Sequence, residues 1–521
     1  MDMFIKLSML VVFFAVMIGT GFYCRSHSTD VDGFVLGGRS VGPWLTAFAY
    51  GTSYFSAVVF VGYAGQFGWK YGIAATWAGI GNAVIGSLMA WAVLGRRTRV
   101  MSQHLDSATM PQFFESRFSS NPLKLASSVI IFIFLIPYTA SLYNGLSRLF
   151  GMAFDIDYSI CVIVMAVLTG VYVIAGGYMA TAINDFIQGI IMLVGIIAVI
   201  WAVLDGQGGL MEALEGLAKV TDPAVSDAPG VFNSFLGPDP VNLAGVVLLT
   251  SLGTWGLPQM VQKFYAIKSE KAINKGMIIS TLFALVVAGG CYFLGGFGRL
   301  FSDKIDLANG GYDSIIPTML SDLGPFLMSV VIVLVLSASM STLSSLVLAS
   351  SSTLTLDFIK GTIVKDLSQK KQLSLIRILI AVFIAISVII AIVQYKSNVT
   401  FIAQLMGVSW GALAGAFLAP FLFGLYWKRT TAASVWASFI FSTVVMLANI
   451  GWKQYFPAIL QSPINAGAFC MFAGLVIVPV VSLFTKAPEK EHIDYVFSCY
   501  DTKVVVPVPD AIGEPTNKEE I

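Results

Sequence analysis

Thirteen stretches of about 20 apolar residues recur along the chain, at roughly 4–23, 43–67, 72–94, 123–150, 157–176, 182–204, 241–266, 274–297, 325–357, 373–394, 399–427, 431–450 and 464–485. Each is long enough to cross a hydrocarbon layer of roughly 30 Å as a helix. In that solvent every backbone N–H and C=O must find its partner inside the protein, which makes the helix the repeating unit. The sequence therefore predicts an all-α polytopic membrane protein with about 13 transmembrane helices. The 521 residues are 57% hydrophobic and only 11% charged, against roughly 25% charged in soluble domains. A net charge of +1 excludes a bulk nucleic-acid role. Cys24, Cys161, Cys291, Cys470 and Cys499 are scattered, without CxxC or Cys/His spacing, so neither a disulfide framework nor a zinc site is indicated. The first stretch lacks a basic start and a small-residue cleavage site and reads as a retained helix. The absence of a GxxxxGK[ST] loop argues against a pump with its own ATPase.

Basic residues give an orientation. Arg25, Arg39, Arg96, Arg97, Arg99, Arg117, Lys263, Lys268, Lys371, Lys428 and Arg429 all fall at span ends of one parity. By the positive-inside rule that side is cytoplasmic, placing the N-terminus outside and the C-terminus inside. One transmembrane domain is expected over 1–487, followed by a polar, flexible cytoplasmic tail over 488–521. Residues 101–118 read as an amphipathic segment on the cytoplasmic interface. The longest loop, Asp205 to Pro240, is expected outside and half-ordered.

Two features interrupt the apolar pattern. In span nine, Ala338, Ser341, Thr342 and Ser345 fall at i, i+3, i+4 and i+7 and so share one helix face, with Ser344 at its edge. Such hydroxyls can bond back to the preceding turn and help helices pack. They are also suited to a small hard cation, which needs several oxygen ligands at once, and a row of four favours the cation. Spans two and seven, in turn, are built to break, at Tyr50–Ala57 (YGTSYFSA) and Gly253–Pro258 (GTWGLP). Gly and Pro weaken helix interiors, and Pro removes a backbone donor. Each break opens a block of five spans, 43–204 and 241–427. Five is odd, so the second block enters the membrane inverted, and two inverted repeats place a binding site at the midplane. Carbonyls freed at Thr52 and Phe55 would face the hydroxyl row and complete an oxygen cage.

Five motifs, in order and spacing, resemble the sodium:solute symporter family over residues 33–435: Phe34–Arg39 (FVLGGR), Met110–Phe118 (MPQFFESRF), Gly176–Ala180 (GGYMA), Met340–Ser344 (MSTLS) and Leu425–Arg429 (LYWKR). The resemblance implies the LeuT-type fold and a sodium site formed by the carbonyls of Thr52, Phe55 and Ala338 with the hydroxyls of Ser341 and Thr342. It also implies a second sodium site, like that of the sialic acid carriers, formed by Asp185, Ser341, Thr342, Ser344 and Ser345. For Asp185 the alternative is a helix-start carboxylate at a positive dipole end.

The solute is expected beside the two breaks, near Ser56, Tyr138, Trp255, Pro258 and Gln404. Interhelical packing is the alternative for these aromatic residues and for Gln404. Positions that carry polar groups in the sugar carriers are Val58, Val59 and Gly79 here, which disfavours a sugar, whose hydroxyls would be left unpaired. Tyr138 and Pro258 match the proline carriers, whereas Tyr54, Val58, Thr250 and Thr254 do not. The resulting expectation is sodium-coupled symport of a small solute by alternating access, with proline leading and a small carboxylate (monocarboxylate, pantothenate or sialic acid) as the alternative. One or two sodium ions per cycle and the bilayer are the implied partners, with no nucleic acid and no obligate protein partner, in a bacterial plasma membrane. A proton-coupled carrier is the nearest rival, and a non-transporting solute sensor is the rival of another class. No buried serine has a histidine base placed for catalysis, so an enzyme is not expected.

Overall fold

The computed structural model describes residues 2–27, 29–154, 157–226, 228–307, 311–364, 366–397 and 402–501, and no strand occurs among them. The helices that carry the argument are α1 (Asp2–Tyr23), α2 (Pro43–Tyr54), α3 (Ala64–Tyr71), α4 (Met110–Phe118), α5 (Asn121–Phe154), α6 (Tyr158–Asp205), α7 (Pro240–Leu252) and α8 (Pro258–Ala266). They continue with α9 (Glu270–Gly295), α10 (Pro325–Thr353), α11 (Gln369–Ser397), α12 (Ile402–Tyr426), α13 (Ala432–Trp452), α14 (Pro463–Phe484) and α15 (Lys490–Ser498). Local sequence starts them cleanly. Pro stands in the first turn of α2, α7, α8, α10 and α14, where its missing N–H is no loss. The side chains of Asp239, Ser269 and Thr431 accept a first-turn N–H in α7, α9 and α13.

Among the described residues, ten helices are long and apolar enough to cross a membrane, or eleven if the bent pair α7–α8 counts as one span. Two of the ten are 47 and 48 residues long, and a straight helix of that length would reach roughly 70 Å, over twice the hydrocarbon core. Each carries a glycine with positive φ, Gly72 (62°) and Gly177 (57°). These glycines stand at the boundaries expected between spans two and three and between spans five and six.

Both broken spans break where expected. Helix α2 ends at Tyr54, where Phe55 turns out of the helix at φ −98°, ψ 99°, and helical structure resumes by Val58. The second break bends α7 against α8 by 47°, with Leu257 at φ −83°, ψ 123°. The most buried long helices are α10 and α12, whereas α1 and α11 are largely exposed. The apolar side chains on that outer surface, such as Phe4 and Val382, are what a lipid-facing rim requires.

The interfacial expectation for 101–118 needs correcting. Phe113, Phe114 and Arg117 of α4 are buried: the two rings pack on Phe421 and Phe417 of α12, and the Arg117 guanidinium donates to the carbonyls of Gly424, in the last turn of α12, and Trp427, just after it. The region expected as a flexible tail begins with the helix α15, and residues 502–521 lie outside the described part. The loop after α6 carries a ten-residue helix, Leu210–Lys219, so it is more ordered than expected.

Candidate functional site: an oxygen cluster between two helices

The last carbonyls of a helix have no partner in their own ladder. At the end of α2 the carbonyl of Thr52 is taken up by α10: Ser341 and Thr342 both donate their hydroxyls to it, at 3.2 and 3.1 Å. The same two hydroxyls lie 3.3 and 3.1 Å from the carbonyl of Ala338. Thr52, Phe55, Ala338, Ser341 and Thr342 are all at most 1% exposed. Four of the five residues expected to hold sodium are thus joined by oxygen contacts of 3.1 to 3.3 Å, and the fifth, Phe55, stands at the helix end. A hydroxyl that donates to a carbonyl can rotate and present a lone pair. This set of neutral, hard oxygens, walled off from water, fits a sodium ion.

The residues of the expected second site are arranged differently. Ser344 donates back to the carbonyl of Ser341 at 2.9 Å. Ser345 pairs with Ser53 at 2.7 Å and accepts a hydrogen bond from Lys263 Nζ at 3.0 Å. Lys263 Nζ also lies 3.8 Å from Asp185 Oδ2 and 5.1 Å from the centre of the Tyr178 ring. Lys263 and Asp185 are each 1% exposed. Among the described residues, neither Asp185 oxygen receives a hydrogen bond. Lys263, counted above with the cytoplasmic charges at span ends, is an inward-facing residue of the broken span.

Around the breaks, Ser56, Tyr138, Trp255 and Pro258 are buried as expected. The Tyr138 hydroxyl has no hydrogen-bond partner among the described residues. Trp255 Nε1 donates to the carbonyl of Ile85 at 3.0 Å, which makes it at least partly a packing residue. Gln404 is not brought to the breaks. It lines a separate cavity of about 890 Å³ together with Gln66, Lys70, Asp222, Arg299 and Asn465. In that cavity a hydrogen bond from Arg299 at 2.8 Å holds the Asp222 carboxyl below the usual carboxylate range.

On α12 the large side chain that faces the breaks is Trp410, six positions and roughly 9 Å further along the axis, with Ala414 and Leu418 packed against Gly256 below it. Its ring stacks on Tyr54 at 5.9 Å and meets Tyr138 edge-on at 5.9 Å. A Cβ at Gly253 would lie 3.2 Å from it. Tyr54, in turn, donates its hydroxyl to the carbonyl of Thr250. Trp410 therefore touches both breaks, and its own Nε1 is buried without a partner among the described residues. The available signal for Trp410 was one large aromatic in a run of small residues, Gly407–Gly415 (GVSWGALAG).

Comparison with known proteins places this fold among characterised transporters. The model of the sodium:solute symporter family matches residues 34–441. A sodium/proline symporter of Staphylococcus aureus is 30% identical over 495 residues, covering 92% of this chain and 93% of its own. Among solved structures, a sodium-coupled sialic acid symporter superposes with a TM-score of 0.74 at 15% identity, covering 93% of this chain and 99% of its own. A manganese transporter of Eremococcus coleocola shares the fold more distantly, with a TM-score of 0.51 at 12% identity.

Proposed function

The chain belongs to the sodium:solute symporter family, and from that premise we propose that it carries proline into the cell, driven by sodium bound between α2 and α10. The family makes it a sodium-coupled secondary transporter of a small solute, embedded in a membrane, and not an enzyme. The observation that carries the sodium-binding part of this reading is the meeting of the Thr52 and Ala338 carbonyls with the Ser341 and Thr342 hydroxyls. Thr52 is within three residues of the break in its span, so an ion held there stabilises one arrangement of α2 against α10. Binding that favours one conformation over another is what couples an ion to a conformational change.

The solute's place is between the breaks. Helix α8 starts at Pro258, and its first N–H groups and positive dipole end suit a carboxylate without any basic side chain. Ser56 is the second polar group of the site, at the break in span two. Tyr138, Trp410 and Trp255 supply apolar ring surface against the pyrrolidine. The Tyr138 hydroxyl and Trp410 Nε1 supply buried polar groups beside Ser56 that form no well-aligned hydrogen bond among the described residues. Support for proline over another small carboxylate comes from the sodium/proline relative. Gln404 is assigned to the separate cavity, on the solute's way in. We place the chain in a bacterial plasma membrane, with the N-terminus outside, the transmembrane domain over 1–487 and the tail from 488 in the cytoplasm.

One sodium ion crossing 100 mV releases about 2.3 kcal/mol, and a tenfold gradient adds about 1.4 kcal/mol, enough for roughly a few hundredfold accumulation. Labelled-proline uptake into proteoliposomes tests the proposal. Uptake is expected to follow an inward sodium gradient and to be absent with potassium in its place. Sodium-driven uptake of a monocarboxylate with no response to proline would move the solute to the carboxylate branch. Uptake that ignores sodium and follows pH would overturn sodium coupling.

A further inference from the structure

We propose that the Lys263 ammonium is the resident second cation of this transporter, filling the place beside Asp185 and Ser345 that a second sodium ion would take. The proposal rests on the reading that sodium binds at Thr52, Ala338, Ser341 and Thr342, and it fixes the stoichiometry at one sodium ion per solute.

The oxygens of the expected second site are already committed. Ser341 and Thr342 belong to the first cluster. Ser344 is turned back on its own helix. Ser345 is held by Lys263 Nζ at 3.0 Å, with the Asp185 carboxylate 3.8 Å from the same nitrogen. No other Lys, Arg or His among the described residues pairs with Asp185 within 4 Å.

Charge gives a second, independent reason. A buried carboxylate at membrane depth requires a positive partner, and Lys263 is as buried as Asp185 itself. A sodium ion placed about 4 Å from the ammonium would meet a repulsion on the order of a thousandfold in affinity, even at a moderate effective dielectric. One carboxylate balances one cation. The lysine is tethered to α8, just after the break, whereas Asp185 stands on α6 and Ser345 on α10. The contact from Ser345 to Ser53 extends the connection to the residue next to Thr52. A fixed charge thus ties the two broken spans together where a second ion would otherwise come and go.

Radiolabelled sodium binding to the purified full-length protein tests the count. The wild-type chain is expected to bind one ion, with a Hill coefficient of one. Lys263→Met keeps the side-chain length and removes the charge. It is expected to bind two ions, because Asp185 then recruits sodium, and Lys263→Met/Asp185→Asn is expected to return to one. Two ions in the wild-type protein would overturn the proposal, and that result needs no variant to fold. A single ion in a monodisperse Lys263→Met protein would overturn it as well. No sodium binding in the wild-type protein would overturn the underlying sodium site, and so separates the two failures.

Discussion

Thr342→Ala is expected to raise the sodium concentration for half-maximal uptake about tenfold, while Thr342→Ser stays close to wild type. The alanine removes one hydroxyl of the cluster on the Thr52 carbonyl and leaves α10 with a good helix former. Losing one contact to a charged partner costs about 1.5 kcal/mol or more, which is at least a tenfold change in binding. The serine keeps the oxygen and drops only a methyl group. Sodium-dependent thermal stabilisation of the purified protein gives the same measurement without a known solute. Equal sodium dependence in the alanine variant and the wild type would remove Thr342 from the site.

Gly68→Ala is expected to destabilise the protein by about 3 kcal/mol or more, and Gly68→Val to prevent its recovery in folded form. A Cβ at Gly68 would lie 1.9 Å from the carbonyl oxygen of Gly295, and one at Gly295 would lie 2.0 Å from that of Ala64. These are backbone atoms, so no side chain can swing aside. The helices α3 and α9 would have to separate along a buried contact. The helix-propensity gain of about 1 kcal/mol for Gly to Ala does not offset that cost. Gly324→Ala is the control, since nothing lies within 4 Å of its added Cβ and its backbone, at φ −59°, suits any residue. Melting temperatures that agree between Gly68→Ala and Gly324→Ala would refute the close crossing.

The breaks in spans two and seven were legible because Gly and Pro act locally, within the few residues that carry them. The hydroxyl face of α10 was legible for a related reason. Polar residues are rare in an apolar helix, so their period stands out. Lys263 was misplaced because the positive-inside rule counts charges near span ends and carries no information on which way a long side chain points. Gln404 was singled out, and Trp410 missed, because α12 is apolar nearly all round. Its sequence therefore does not say which level of the helix meets the breaks. The inward role of Arg117 was likewise hidden, since a guanidinium at a membrane boundary can face headgroups or cap carbonyls equally well by composition.

That last arrangement bears on where the chain can be shortened. Helix α15 and the turn after it lie on the first repeat and on the end of the second, where Tyr500 also approaches the carbonyl of Leu425. His104 meets the carbonyl of Tyr495 at 2.9 Å, His492 pairs with Ser119 at 3.1 Å, and Lys428 reaches Asp494 at 3.2 Å. The Phe497 ring covers the Arg117 guanidinium at 5.0 Å, and Tyr500 donates to the carbonyl of Arg97 at 3.3 Å. A deletion made just after the last membrane helix, at the apparent start of a dispensable polar tail, would strip this cover from a buried arginine. Truncations and fusion junctions meant to leave the transporter intact must keep α15 and Tyr500 in place.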